Sequence, residues 1–175
     1  MFLCLNIIEN VKANEPFVFN VTEIEILENG NQINGYKGGT AISKDGSEIT
    51  AENFFYNKLT NILEVVGNVK YIDEKENVII TTDKAIYLKN QEKIFAIKNS
   101  KAINENNTIT ASNLEYDKIN NIFKAKKNAV VKDAEKNATL YADEITYFKN
   151  EEKIFTEGKT KALIDNKYIF NSENV

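Results

Sequence analysis

The chain has 175 residues, 42% hydrophobic and 27% charged, enough for one soluble domain to bury a core. Its formal charge of −4, with all 22 basic residues lysine and none arginine, argues against nucleic-acid binding, which favours basic patches and bidentate arginine contacts. Histidine is absent and Cys4 is the single cysteine, which removes the commonest general base, any internal disulfide and any thiolate metal cluster.

Residues 1–15 differ from the rest of the chain. Phe2-Leu3-Cys4-Leu5-Asn6-Ile7-Ile8 is a short apolar run, and Val11-Lys12-Ala13 resembles the small-residue end of a secretory signal without its basic start. The segment reads either as the remnant of a cleaved signal or as an unstructured or strand-like leader, and Cys4 lacks the upstream motif that lipidation needs. Residues 16–175 are expected to form one β domain. Strand alternation sets in at Phe17, Phe19 and Val21, with Ile24 and Ile26 on the other parity; Asn29-Gly30-Asn31 then turns the chain. Residues 33–42 return through Gly38-Gly39, and Lys44-Asp45-Gly46-Ser47 turns again.

The stretch Ile49-Thr50-Ala51-Glu52-Asn53-Phe54-Phe55-Tyr56 then recurs. Copies begin at Ile80, Ile109, Leu140 and Ile169, at intervals of 31, 29, 31 and 29 residues, so two units close every 60 residues. A fixed interval of this kind marks one supersecondary unit stacked on its own copies. Each unit is a hairpin, with turns at positions such as Asn57-Lys58-Leu59-Thr60-Asn61 and Asp73-Glu74-Lys75-Glu76-Asn77, giving about eleven strands in an antiparallel meander. Within a copy, Ile49 and Ala51 share one parity while Phe54 and Tyr56 share the other. A straight strand would place the two pairs on opposite faces. A bulge or bend near Glu52, Asp83, Ser112 and Asp143 returns them to one interior, which predicts an all-β antiparallel jelly-roll or taco-like solenoid: bent strands in two facing sheets around an apolar trough. Gly67 and Gly158 stand where the returning strands would bend, but Lys98 and Lys127 occupy the equivalent places.

Residues 17–26, Ile49-Thr50-Ala51-Glu52, Tyr56, Asn61-Ile62-Leu63 and Gly67-Asn68-Val69 together resemble the OstA-like domain family of lipopolysaccharide transport proteins. The copy at Ile109 follows the family pattern through Tyr116-Asp117 but has Lys127-Asn128-Ala129 in place of Gly-Asn-Val. Within the family, which includes the LptA, LptC and LptD branches, the opening is most like the periplasmic N-terminal domain of LptD. The resemblance implies a non-enzymatic domain in the periplasm, associated with the outer membrane. It would hold lipopolysaccharide acyl chains without a cofactor, and its partners would be like domains joined head to tail and, for LptD, an outer-membrane barrel.

On that reading Ile49, Ala51, Phe54, Ile80, Ala85, Ile109, Ala111, Leu114, Leu140, Ala142 and Ile145 line the trough; the plainer reading is that they fill a sandwich core. Tyr56, Tyr87, Tyr116 and Tyr147 either rim the opening with hydroxyls in water or form an aromatic ladder between strands. Turn residues such as Lys58 and Lys118 are expected to stand clear of the interior, and Ile109→Glu is expected to weaken lipid capture with the sheet still folded. Edge pairing is expected at Phe19, Val21, Ile24 and Ile26 and at Ile164, Tyr168 and Phe170, unless the leader or further chain covers those edges. The carboxylates at the bends recur from unit to unit, at Glu52, Asp83 and Asp143, as solvated bends do, whereas a metal or catalytic site is normally singular. A structural β-solenoid without lipid is the competing function, and a carbohydrate-active repeat enzyme a third that lacks a localised carboxylate cluster.

Overall fold

Long runs of alternating apolar and polar residues, interrupted every dozen positions by Asn, Asp, Lys and Gly, give strands and turns and little else. The computed structural model describes residues 16–165 and 167–174; the leader, with both readings of it, lies outside the described residues. The strands are β1 (Phe17–Leu27), β2 (Gln32–Ser43), β3 (Glu48–Ala51), β4 (Asn53–Asn57), β5 (Ile62–Asp73), β6 (Val78–Leu88), β7 (Lys93–Asn104), β8 (Asn107–Asp117), β9 (Ile122–Asp133), β10 (Ala138–Phe148), β11 (Lys153–Ile164) and β12 (Tyr168–Asn174). β3 and β4 are one bent strand interrupted at Glu52; taken together they give the expected eleven. With β3 and β4 counted as one, every strand pairs antiparallel with its neighbours in sequence, so one sheet runs without crossovers from β1 to β12. Among the described residues no helix is long and apolar enough to cross a membrane.

The predicted break in parity is present in every full-length strand pair. Register slips between Val21 and Glu23, Val66 and Val69, Thr81 and Lys84, Ile97 and Ser100, Thr110 and Asn113, and Ala142 and Glu144. The slips line up across the sheet as a crease, which folds it into two walls. The first wall carries residues 17–21, 39–51, 69–82, 100–111, 129–142 and 160–172, and the second carries the segments between.

The crease has its own chemistry. Each returning strand turns there through left-handed backbone: Gly67 (φ 88°) with Asn68 (47°), Lys98 (68°) with Asn99 (54°), Lys127 (65°) with Asn128 (57°), and Gly158 (80°). Side chains of the preceding strand latch several of these bends. Asn68 Nδ2 donates to Glu52 Oε1 at 2.6 Å, Asn99 Nδ2 to Asp83 Oδ2 at 2.9 Å, and the Lys159 amide to Asp143 Oδ2 at 3.2 Å. The recurrent carboxylates thus brace three of the bends. A Cβ at Gly67 or Gly158 would run into the Glu52 or Asp143 carboxyl group, which explains glycine at those two positions. Lys98 and Lys127 adopt the same conformation without glycine, so the bend is uniform despite the departure from the family pattern.

Left-handed backbone at a lysine costs about 1–2 kcal/mol. Lys127→Gly should therefore stabilise the fold by about 0.5–1 kcal/mol once the greater chain entropy of glycine is subtracted. A urea midpoint that rises at unchanged slope would establish this; a fall would show that the Lys127 side chain supports the crease.

Candidate functional site

Because both walls turn their apolar parity inward, the outgoing and returning strands contribute to one interior. Along the first wall the cross-strand row Phe19, Ala41, Ile49, Tyr71, Ile80, Ala102, Ile109, Val131, Leu140, Ala162 and Phe170 runs from one end of the sheet to the other. Facing it, Phe54, Val65, Ala85, Ala96, Leu114, Ala125 and Ile145 are successive neighbours on the second wall. Of the residues expected to line the trough, Ile49, Ala51, Phe54, Ile80, Ala85, Ile109, Leu114, Ala142 and Ile145 lie in a single buried cluster. Ala111 and Leu140 are partly buried against it. Sequence reading missed the returning strands' share, including Leu63, Val65, Ile94, Phe123 and Val131. Their signal was the alternation Leu63-x-Val65 and Phe123-x-Ala125.

The tyrosines do not rim an opening. Tyr56, Tyr87, Tyr116 and Tyr147 are at most 5% exposed and occupy one cross-strand row with Leu63, Ile94 and Phe123. Tyr116 stacks on Phe123 with centroids 4.4 Å apart, and Phe123 on Tyr147 at 6.2 Å. Their hydroxyls bond to groups of the protein. Tyr56 and Tyr116 donate to Asn61 (2.7 Å) and Asn121 (3.0 Å), Tyr87 donates to Glu92, and Asn107 Nδ2 donates to the Tyr147 hydroxyl at 3.3 Å. Burial pushes the Tyr71, Tyr87 and Tyr116 phenols well above their ordinary pKa, and neighbouring charges such as Asp73 and Glu92 add to it.

At the β1 end the walls are bridged by aromatic rings. Phe17 meets Tyr56 at 5.3 Å and Tyr87 at 5.6 Å, and Phe19 meets Tyr56 at 5.8 Å. At the other end the interior reaches a cavity of about 220 Å³ between Val131, Leu140, Ile154, Ala162 and Ile164, beside a polar one of about 230 Å³ at Asn107, Tyr147 and Lys149.

Opposite the crease the two rows of turns face each other and are tied by charge. Lys118 Nζ, on the β8–β9 turn, lies 2.7 Å from Asp45 and 3.0 Å from Asp73 across the gap. Lys89 Nζ lies 3.6 Å from the same Asp45, and Lys149 Nζ lies 2.9 Å from Glu76 and donates to its carbonyl oxygen at 2.6 Å. The Lys118 side chain is 10% exposed and that of Asp73 7%. Lys118 is therefore part of the closure, against the expectation that it stands clear. Burial opposes both charges, but the ion pairs prevail: they hold Asp45 and Asp73 below the usual carboxylate range and Lys118 above the usual ammonium range. Sequence reading overlooked the signal, which is Tyr-x-Lys in every unit: Tyr56-Asn57-Lys58, Tyr87-Leu88-Lys89, Tyr116-Asp117-Lys118 and Tyr147-Phe148-Lys149.

The edges are also partly as expected. Ile24, Ile26 and Phe170 are exposed, whereas Phe19 and Val21 turn inward against the core. Ile164 is not an edge residue, because its backbone already pairs with Ala138 on one side and Tyr168 on the other. Among the described residues β1 and β12 are the outermost strands of the sheet, and the pairing of β11 with β12 runs from Glu157 to Ile164. No group of three or more Asp, Glu, Cys or His side chains among the described residues could hold a metal ion.

Residues 18–173 match the family described as OstA-like protein. The fold is similar to the crystal structure of LptH, described as the LptA homologous periplasmic component of the conserved lipopolysaccharide transport device from Pseudomonas aeruginosa. The TM-score is 0.57 and the identity 17%, over 64% of this chain and 82% of that one. No curated protein sequence matches the chain.

Proposed function

The chain belongs to the OstA-like protein family, and on that premise we propose that it is a non-enzymatic conduit domain that passes lipopolysaccharide across the periplasm toward the outer membrane. Acyl chains would run between the two walls. The observation that carries this is the unbroken apolar row from Phe19 to Phe170, which runs the length of the sheet and reaches a cavity of about 220 Å³ at Leu140 and Ala162. The similar fold of LptH, a periplasmic transport component, supports the same direction.

The exposed edges of β1 and β12, with Ile24, Ile26 and Phe170 uncovered, favour strand addition by like domains into a longer bridge. Membership of the LptD branch, with a barrel as partner, is the more specific form of this proposal and rests on the likeness of residues 17–26.

A benzophenone amino acid at Phe54, Ile109 or Leu114 should label lipopolysaccharide on irradiation, while one at Leu59 or Ile119 should not. Those two controls are apolar but stand on exposed turn tips, 71% and 68% accessible. Equal labelling at both sets would remove the conduit. A structural β-solenoid without lipid is the second reading, favoured by the near-complete burial of Phe54 and Tyr116; it predicts no labelling at either set.

A further inference from the structure

The crease and the seam opposite it are closed by different forces. At the crease the chain itself crosses between walls, and antiparallel backbone ladders run on either side. Across the seam the walls meet through side chains: Lys89, Lys118 and Lys149 of the second wall reach Asp45, Asp73 and Glu76 of the first. Opening the seam separates three lysines from their carboxylates, whereas a strand ladder yields only if many hydrogen bonds break together. If the walls part, they part along the seam.

Parting is also required. Ile80, Ile109 and Leu114, in the middle of the interior, are at most 2% exposed, and the opening of the interior near β11 is about 220 Å³. The larger apolar hollow of about 410 Å³ at Ile86, Phe95 and Lys124 lies on the row of opposite parity, on the outer side of the second wall. Sites for drug-sized ligands are commonly about 300–1,000 Å³. A hydrocarbon chain therefore gains the middle of this interior only when the walls separate.

We propose that the lysine–carboxylate seam is a releasable clasp, and that the interior admits an acyl chain only after Lys118 has left Asp45 and Asp73. This rests on the reading of the interior as an acyl-chain slot. The position of Lys118 suits a clasp, because it sits halfway between Lys89 and Lys149 in the repeat and joins two different turns of the opposite wall at once. It also covers the ring of Tyr71, with Nζ 5.8 Å from the centroid, so its release uncovers the aromatic part of the interior.

The test uses one polypeptide in two states: Asp45→Cys and Lys118→Cys together, in a Cys4→Ser background, with a benzophenone amino acid at Leu114. Unbridged, this protein lacks the clasp; bridged by a short bis-maleimide, it cannot open. With purified lipopolysaccharide as the probe, the unbridged form should be photolabelled about tenfold more than the bridged one and faster than the parent chain, as expected when a closed state is depopulated. Because the two states share one sequence, a folding defect from the substitutions would appear in both melting curves and would not mimic the difference. Equal labelling of bridged and unbridged protein would overturn the clasp and leave the slot intact. No labelling in any form, the parent included, would overturn the slot and the clasp with it.

Discussion

Truncating Phe123 to alanine should remove about 3–5 kcal/mol of folding stability. Phe123 is fully buried on β9, stacked between Tyr116 and Tyr147, and belongs to the tyrosine row that runs along the second wall. The loss combines the transfer energy of a phenyl ring, its stacking on two neighbours and a cavity that two hydrogen-bonded walls cannot collapse to fill. Domains commonly have about 5–15 kcal/mol in all, so the variant should sit near its limit of stability at room temperature. Urea unfolding followed by circular dichroism should show the midpoint falling steeply at unchanged slope. A loss below about 1 kcal/mol would mean that the walls close over the gap, as a pliable slot would and a filled core would not.

Ile109→Glu should unfold the protein at neutral pH rather than merely impair lipid capture. Ile109 is 1% exposed, between Ala102 on β7 and Val131 on β9. An uncompensated carboxylate there costs several kcal/mol, and the fold can accommodate it only by keeping it protonated. Its folded pKa would then lie above the unfolded value of about 4.3, so stability returns as pH falls toward that value and is lost as pH rises. Circular dichroism at pH 7 and pH 5 would show this as a larger folded fraction in the more acidic buffer. A variant that melts like its parent at both pH values would place Ile109 against water. The sequence alone suggests that the sheet survives, because alternation identifies the face of Ile109 without saying how tightly the opposite wall closes upon it.

How far such inferences reach depends on which contacts are local. The crease is readable because parity is a property of successive residues: Ile49 and Ala51 cannot share an interior with Phe54 and Tyr56 unless the strand breaks at Glu52. The interior positions follow from the same parity. The backbone of Lys98 and Lys127 is less transparent, since glycine is the usual sign of left-handed φ. Here the asparagine next in the chain, Asn99 or Asn128, is the better marker, being tolerant of that conformation itself. The tyrosines mislead because partners five residues ahead, Asn61 and Asn121, satisfy hydroxyls that would otherwise need solvent. The seam is beyond any local rule. Lys118 and Asp45 are 73 residues apart, as are Lys149 and Glu76, and only the coiling of the whole sheet brings them together.

The latch at the crease joins residues 16 apart, Glu52 with Asn68 and Asp83 with Asn99, so the instruction to bend is complete within a single hairpin. Nothing in it refers to how many hairpins precede or follow. Evolution can therefore lengthen such a molecule by duplicating 60 residues at a time, adding four strands and roughly 19 Å at about 4.8 Å each, while both termini keep the surfaces they had. The reach of the protein is in that sense a number written in its gene, adjustable in steps without redesign.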